Sequence, residues 1–201
     1  MQPIDFKKTV SVVIMIFSCA ILSSANNAAL LHKLDSVIEA SETIVAEKNK
    51  KIAMLKQMAA KENNTALLLE RYRELSEEYY VFKFDSAKVY VEKGLALAKK
   101  VQNSRYIVTN TIMKAKLLSI GGLYSEAINT LNTIEPDSLG EQDMIFDYHI
   151  AYSTIYSYWA DYCNDDTYSP IYRERSNAYL KTAIANIDKN NAAYDYYMGE
   201  Y

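Results

Sequence analysis

Apolar residues recur every three or four positions from Leu30 to Ala60, which predicts one long amphipathic helix. The stripe consists of Leu34, Ile38, Val45, Ile52 and Leu55, with Val37, Ile44 and Met58 beside it. Ser41 and Lys48 interrupt this stripe, which disfavours a strong coiled coil. We expect residues 26–61 to form a lead helix that caps the structure after it, because an array of stacked helices needs its first apolar face covered.

Shorter segments with helical periodicity follow, and short turns separate them. We predict these helices at residues 66–81, 84–98, 106–120, 125–134, 141–162 and 171–187. Thr65 is predicted to cap the first of them. Only 5 Gly and 3 Pro occur in 201 residues, which suits long helices joined by short turns. The sequence therefore predicts an all-α fold.

Two of these segments share a spacing in which an aromatic residue precedes an alanine by three positions. Phe84 precedes Ala87 and Tyr124 precedes Ala127, so the two alanines are 40 residues apart. A larger side chain at either alanine would push the paired helices apart. In the second segment Gly122 comes just before the aromatic residue and allows the chain to reverse. The spacing indicates a repeated helix–turn–helix unit.

The order of glycine, tyrosine and alanine from Gly122 to Ala127, closed by Pro136, resembles the second half of a tetratricopeptide repeat. The resemblance implies an all-α, tetratricopeptide-like helical-repeat solenoid with a long N-terminal helix. We expect residues 62–201 to contain about three repeat units and an incomplete fourth, with Ala178 and Ala183 as small contacts in the third. Since such repeats bind partners rather than transform them, the resemblance implies a binding module.

The first 25 residues have the composition of a secretory signal peptide. Two lysines precede a 14-residue apolar run at residues 9–22, and small residues follow up to Ala25. The run is shorter than the roughly 20 apolar residues that a membrane-spanning helix needs. We therefore expect cleavage after Ala25 and a periplasmic or other extracytoplasmic location. Two alternatives are an uncleaved membrane anchor and a lipoprotein attached through Cys19.

A narrower resemblance rests on this N terminus, the lead helix and the segments Phe84–Ala87, Leu123–Ala127 and Tyr168–Pro170. Together they are similar to the exported N-terminal part of tetratricopeptide-containing regulators of Bacteroidetes. The resemblance implies an extracytoplasmic sensor that is followed by a transmembrane helix, a coiled coil and a cytoplasmic helix-turn-helix output region. This sequence has no second apolar span and no DNA-reading helix, so we expect a truncated regulator that retains its sensor part. The family assigns no catalytic residue.

Charge and motifs argue against several other functions. The formal net charge is −3 and the sequence pI is about 5.5, which disfavours nucleic-acid binding. No H-E-x-x-H, C-x-x-C, phosphate-loop or G-x-S-x-G motif occurs, and His32 and His149 are interpreted as structural or surface residues. The acidic turn at residues 161–166 lacks the spacing of a calcium loop. Removal of Cys19 with the signal would leave Cys163 without a disulfide partner. We predict no enzyme activity, no metal and no cofactor.

Four aromatic residues form the candidate ligand-binding site. Tyr148, Tyr152, Tyr156 and Trp159 follow a 4-4-3 spacing, which places them on one side of a helix. Such rings would suit a peptide, protein or glycan in a concave groove, and the alternative is that they pack within and between repeats. The leading hypothesis is a non-enzymatic sensor or protein-binding module. The alternative is a surface lipoprotein that binds nutrients and is anchored through lipidated Cys19.

Overall fold

The structure is a computed structural model that describes the backbone of residues 6–189, 191 and 194–200. Side chains are described from residue 30 onward, except at positions 136, 138 and 200. The helices are α1 (Phe6–Lys61), α2 (Thr65–Tyr80), α3 (Phe84–Lys100), α4 (Ser104–Ile120), α5 (Tyr124–Leu131), α6 (Gln142–Cys163), α7 (Tyr168–Ala185) and α8 (Tyr194–Glu200), with a 3₁₀-helix at Pro136–Leu139. No strand occurs among the described residues. The predicted all-α fold is confirmed.

The predicted helices after α1 all occur, and their ends differ from the prediction by at most three residues. The start of α1 differs more, because this helix begins at Phe6 rather than near Leu30. Residues 1–5 of the predicted signal peptide lie outside the described residues, and residues 6–25 belong to α1. Within the described part of the chain, no helix is both long enough and apolar enough to cross a membrane.

The chain divides into two compact units, residues 1–51 and residues 52–201. In the first unit the side chains from Leu30 to Glu47 are exposed. Leu34 and Ile38, two members of the predicted apolar stripe, are 54% and 57% exposed. The segment is helical, as its amphipathic pattern predicts, but these side chains do not enter a core.

The second unit is built from successive pairs of antiparallel helices. α2 packs against α3, α4 against α5, and α6 against α7. Neighbouring pairs meet where α3 contacts α4 and where α4 and α5 contact α6, and α8 packs against α7. This recurring two-helix step is the arrangement that the tetratricopeptide resemblance implied.

The first helix pair is covered by residues 52–61, the part of α1 that belongs to the second unit. Ile52 and Leu55 are each 3% exposed and share a core cluster with Leu75, Tyr79 and Val91. Burying an aliphatic side chain of this size contributes about 1.5–3 kcal/mol. The last turns of α1 thus cover an apolar face of the first helix pair.

The N-cap of α2 is Asn64 and not Thr65, so the predicted capping residue is wrong by one position. The Oδ1 atom of Asn64 accepts hydrogen bonds from the backbone N–H groups of Ala66 (2.9 Å) and Leu67 (3.2 Å). Its backbone is extended, which aims the side chain at these free donors. Thr65 is instead the first residue of the helix.

Two turns between helices close in the same way. Gly122 has φ +77°, and Leu123 donates its N–H to the carbonyl of Leu118 at 2.9 Å. Between α3 and α4, Gln102 has φ 56° and Asn103 donates to the carbonyl of Ala98 at 2.9 Å. A residue with positive φ directly after the C-cap turns the chain so that the following N–H group reaches a free carbonyl of the last helical turn. The chain reversal predicted at Gly122 is confirmed, and the turn between α3 and α4 achieves it without glycine.

Small residues lie where paired helices approach most closely. Ala87, Ala127 and Ala183 are fully buried, as predicted for the small contacts of the three units. Ala178 is exposed, so its predicted role as a contact is wrong. The buried positions of α7 are Ser169, Ser176, Leu180 and Ala183, and position 178 points away from that face.

The contact between α3 and α4 depends on a glycine that the sequence pattern did not single out. A Cβ atom at Gly94 would lie 2.6 Å from Oδ1 of Asn110. Asn110 is buried, and its Nδ2 donates to the carbonyl of Tyr106 at 2.7 Å. Gly94 therefore leaves space for a polar side chain on the neighbouring helix.

Candidate functional site

The four predicted aromatic residues lie on α6 among the packed side chains of the second and third helix pairs. Tyr152 and Tyr156 are only 3% and 7% exposed and belong to the main core cluster. Tyr148 and Trp159 are partly exposed and pack against the same cluster. In this conformation a ligand would reach the edges of Tyr148 and Trp159 more readily than the two buried rings. Contact between these four residues and a ligand stays a prediction.

These rings are part of a stack that extends to α5 and α7. Tyr152 stacks on Tyr179 with ring centroids 4.5 Å apart, and Trp159 stacks on Tyr172 at 4.4 Å. Tyr124 of α5 also stacks on Trp159, with ring centroids 5.8 Å apart. Aromatic pairs of this kind contribute about 0.5–1.5 kcal/mol beyond their burial. The stack therefore joins α5, α6 and α7 into one core.

Hydrogen bonds fix the orientation of the buried Tyr152 ring. Its hydroxyl donates to Oδ1 of Asn132 at 2.6 Å and accepts a hydrogen bond from the hydroxyl of Tyr148 at 3.3 Å. Desolvation by burial, helped by the contact with Tyr148, raises the pKa of the Tyr152 phenol well above its usual range. This phenol stays neutral at physiological pH and serves as a structural hydrogen-bonding group.

Among the described residues, His149 has a buried side-chain nitrogen without a hydrogen-bond partner. Its Nδ1 atom is buried, and the ring lies against Tyr148 (centroids 5.4 Å apart) and Tyr179 (5.9 Å). Desolvation by burial lowers the pKa of His149 below its ordinary value of 6.5. The folded protein therefore holds this imidazole in its neutral form more strongly than the unfolded chain does.

We expect His149 to make stability depend on pH below about 6.5. In that range the unfolded chain binds a proton at His149 more readily than the folded protein does, so the free energy of unfolding falls as pH falls. Thermal melts at neutral pH and at about pH 5.5 should show a larger loss for the wild type than for His149→Phe, which keeps the ring contacts but cannot titrate. Parallel pH curves for the two proteins would contradict this expectation.

A second surface, which the sequence did not point to, is a cavity of about 330 Å³ that crosses the first helices of the three pairs. We call it the first-helix groove. It is lined by Glu70, Arg73 and Glu77 of α2, by Arg105, Tyr106 and Thr109 of α4, and by Asp143, Met144 and Asp147 of α6. Spacings of three and four residues place each set on one side of its own helix. Repeat proteins of this architecture use such a face to receive ligands.

Both arginines of this groove form ion pairs with carboxylates. Arg73 donates to both carboxylate oxygens of Glu70, at 3.1 and 2.5 Å, and also to Glu77. Arg105 donates to Asp143 at 2.7 Å and also to Glu141. The hydrogen bond from Arg73 lowers the pKa of Glu70, so this carboxylate stays charged.

A second polar contact between repeats joins α2 and α4 across the groove. The hydroxyl of Tyr106 donates to Oε2 of Glu70 at 2.8 Å. Burial and this carboxylate together raise the pKa of Tyr106. The bond connects residues that are 36 positions apart, which explains why inspection of one helix at a time misses the groove.

Asp147 and Lys116 differ from the paired charges. Desolvation raises the pKa of Asp147 and lowers the pKa of Lys116. The strongest electrostatic attraction that either group feels comes from the other. Among the described residues, neither forms an ion pair or a hydrogen bond through its charged group. Asp147 thus lines the groove with a carboxylate that has no donor.

A larger cavity of about 380 Å³ lies between α6, α7 and α8. Its walls carry hydroxyl groups from Ser153, Thr154, Ser157 and Ser176, and tyrosine rings from residues 158, 196 and 197. The hydroxyl of Ser176 donates a hydrogen bond to the carbonyl of Ser153 at 2.8 Å, which links α6 and α7 beside this cavity. Its lining contains one charged side chain, Arg173, which pairs with Asp161 at 2.8 Å, whereas six charged side chains line the first-helix groove.

The acidic turn between α6 and α7 has a structural role. Oδ1 of Asp165 accepts hydrogen bonds from the backbone N–H groups of Thr167 and Tyr168, both at 2.8 Å. The described residues contain no group of three His, Cys, Asp or Glu side chains arranged to hold a metal ion. Cys163, at the end of α6, is a free thiol. The interpretation of this segment as a turn agrees with these contacts.

Comparison with known families gives one match. A protein-family model described as "SusR N-terminal TPR domain" matches residues 38–201. Comparisons with curated proteins and with solved structures give no match. The matched region includes the second part of α1 and every later helix.

Proposed function

Because the chain belongs to the family of SusR N-terminal TPR domains, we propose that it is a non-enzymatic sensor module that binds a ligand outside the cytoplasm. In this proposal it is the ligand-binding part of a signalling or transcriptional regulator. The family and the helical-repeat fold support binding, since repeats of this type present surfaces to partners. The ligand is a peptide, a protein segment or a glycan.

The observation that carries the proposal is the first-helix groove. Three helices from three successive pairs line it, and its wall combines charged groups with the apolar surfaces of Tyr106 and Met144. A cavity with a few fixed polar groups on rigid helices is the usual form of a ligand site. The partly exposed edges of Tyr148 and Trp159 form a second candidate contact.

The extracytoplasmic location in this proposal rests on the N-terminal sequence. A lysine pair, an apolar run and small residues up to Ala25 support export by a signal peptide. N-terminal sequencing of the protein from the cell envelope should find a mature chain that begins after Ala25. Incorporation of labelled palmitate at Cys19 would instead favour the nutrient-binding lipoprotein.

A blocked groove tests the binding function directly. We expect Thr109→Trp to fill the groove, because Thr109 lies in its wall on α4. Thr182→Trp is the matched control, since both threonines donate their hydroxyl to the carbonyl four residues earlier and Thr182 lies on the exposed side of α7. The readout is capture of immobilised random-sequence peptides by the purified full chain.

The expected result is that the wild type and Thr182→Trp capture the same peptides and that Thr109→Trp loses at least about tenfold in affinity, or 1.4 kcal/mol. Circular dichroism melts should show that both variants remain folded. Equal capture by Thr109→Trp and the wild type would rule out the groove as the binding site. Failure of the wild type to capture any peptide would reject the peptide-binding form of the proposal.

A further inference from the structure

The charges of the first-helix groove do not balance. Its lining contains four carboxylates, from Glu70, Glu77, Asp143 and Asp147, but only two guanidinium groups. Both guanidinium groups already have carboxylate partners, as described above. An anionic ligand would have to displace these partners. Lys116, beside the groove, acts electrostatically on Glu77 and Asp147, which leaves four carboxylates against three cations. A cationic ligand would therefore still meet more negative than positive charge.

Asp147 is the carboxylate that has room for a partner. Glu70, Glu77 and Asp143 each accept a hydrogen bond from an arginine. No donor among the described residues reaches Asp147. The side chain of Asp147 is exposed, so a ligand in the groove can reach this carboxylate.

The neighbouring wall suits a long aliphatic stem. Met144 is 7% exposed and lines the groove beside Asp143 and Asp147, and the ring of Tyr106 lines the facing helix. Lysine and arginine side chains place their methylene groups along apolar surfaces and keep the charged end at a polar site. The groove offers both surfaces within one cavity.

Lys116 supplies an observation that is independent of the carboxylates. It is partly buried on α4 beside the groove, it acts electrostatically on Glu77 and Asp147, and its ammonium has no hydrogen-bond partner among the described residues. A free amine as ligand would offer this ammonium no acceptor. A peptide carries carbonyl oxygens next to its side chains, so one ligand can serve Asp147 and Lys116 together.

From this arrangement we propose that the first-helix groove binds an extended peptide through a lysine or arginine side chain that pairs with Asp147. This inference rests on the proposed binding function of the groove and names its ligand class. The stem of the bound side chain lies along Met144 and Tyr106. A backbone carbonyl of the peptide accepts a hydrogen bond from Lys116.

The test uses capped random-sequence peptides in which one central position is fixed as lysine, arginine, norleucine or glutamate. The full chain should bind the lysine and arginine sets about tenfold more tightly than the norleucine set, as expected for one charged hydrogen bond. Asp147→Asn should remove this preference and leave norleucine binding unchanged. The control Asp166→Asn, in the exposed turn between α6 and α7, removes the same charge elsewhere and should keep the preference.

Three outcomes would overturn the inference. Equal or tighter binding of the norleucine or glutamate sets would show that the groove does not select a cation. Equal losses in Asp147→Asn and Asp166→Asn would indicate only the net charge of the protein. Displacement of the lysine peptides by an equal concentration of butylammonium would show that a simple amine suffices. In each case Thr109→Trp still reports separately on whether the groove binds peptides.

Discussion

Replacement of Tyr152 with alanine is expected to lower the free energy of unfolding by about 3–5 kcal/mol, the range measured when large aromatic side chains are removed from cores. The ring is 3% exposed and stacks on Tyr179 at 4.5 Å. Its removal would leave a cavity between α6 and α7 and would take away the donor to Asn132. Chemical denaturation of the purified chain measures this change.

Tyr162→Ala is the matched control for this prediction. Tyr162 lies on the same helix but is 75% exposed, so the same truncation should change stability by at most about 0.5 kcal/mol. Equal effects of the two substitutions would contradict the core assignment of Tyr152. If Tyr152→Ala abolished ligand capture at unchanged stability, the ring would be a binding residue, as the sequence pattern suggested.

Replacement of Ala127 with leucine is expected to destabilise the protein by about 1–3 kcal/mol through overpacking. Ala127 is 0% exposed and belongs to the same core cluster as Ala115 and Leu131. No space remains between α4 and α5 for three further carbon atoms unless the helices move apart. A lower melting temperature for Ala127→Leu than for the wild type would support the predicted repeat register.

Ala178→Leu on α7 is the control for this substitution. Because Ala178 is exposed, leucine there should project into solvent and change stability by less than about 0.5 kcal/mol. Both substitutions replace alanine within a helix, so their difference isolates the effect of packing. A melt of Ala127→Leu that matched the wild type would show that the register is wrong.

Much of the architecture could be predicted because it follows from local patterns. The 3.6-residue periodicity located the helices after α1, and the spacing from Phe84 to Ala87 and from Tyr124 to Ala127 identified the repeat. The family match over residues 38–201 confirms the tetratricopeptide resemblance. The capping residue of α2 was misassigned because Asn and Thr are both good caps and stand next to each other.

The candidate site was harder to predict. An aromatic row on one helix looks the same in a sequence whether it faces a groove or a neighbouring helix, and the rings of Tyr152 and Tyr156 face α7. The charged groove gave no signal along the chain, since acidic and basic residues on a helix usually indicate a solvated surface. Pairs such as Tyr106 with Glu70 appear only when separate repeats are stacked.

The sequence by itself determined that the chain is helical, that its helices pair in repeated steps, and that alanines at Ala87 and Ala127 form the close contacts. These properties follow from the order of neighbouring residues, because helix periodicity and turn geometry act over a few positions. The tertiary structure alone decided which polar residues of α2, α4 and α6 share one groove and which of them lack a partner. That outcome depends on the stacking of helices that lie far apart in the chain, and short-range patterns carry no information about it.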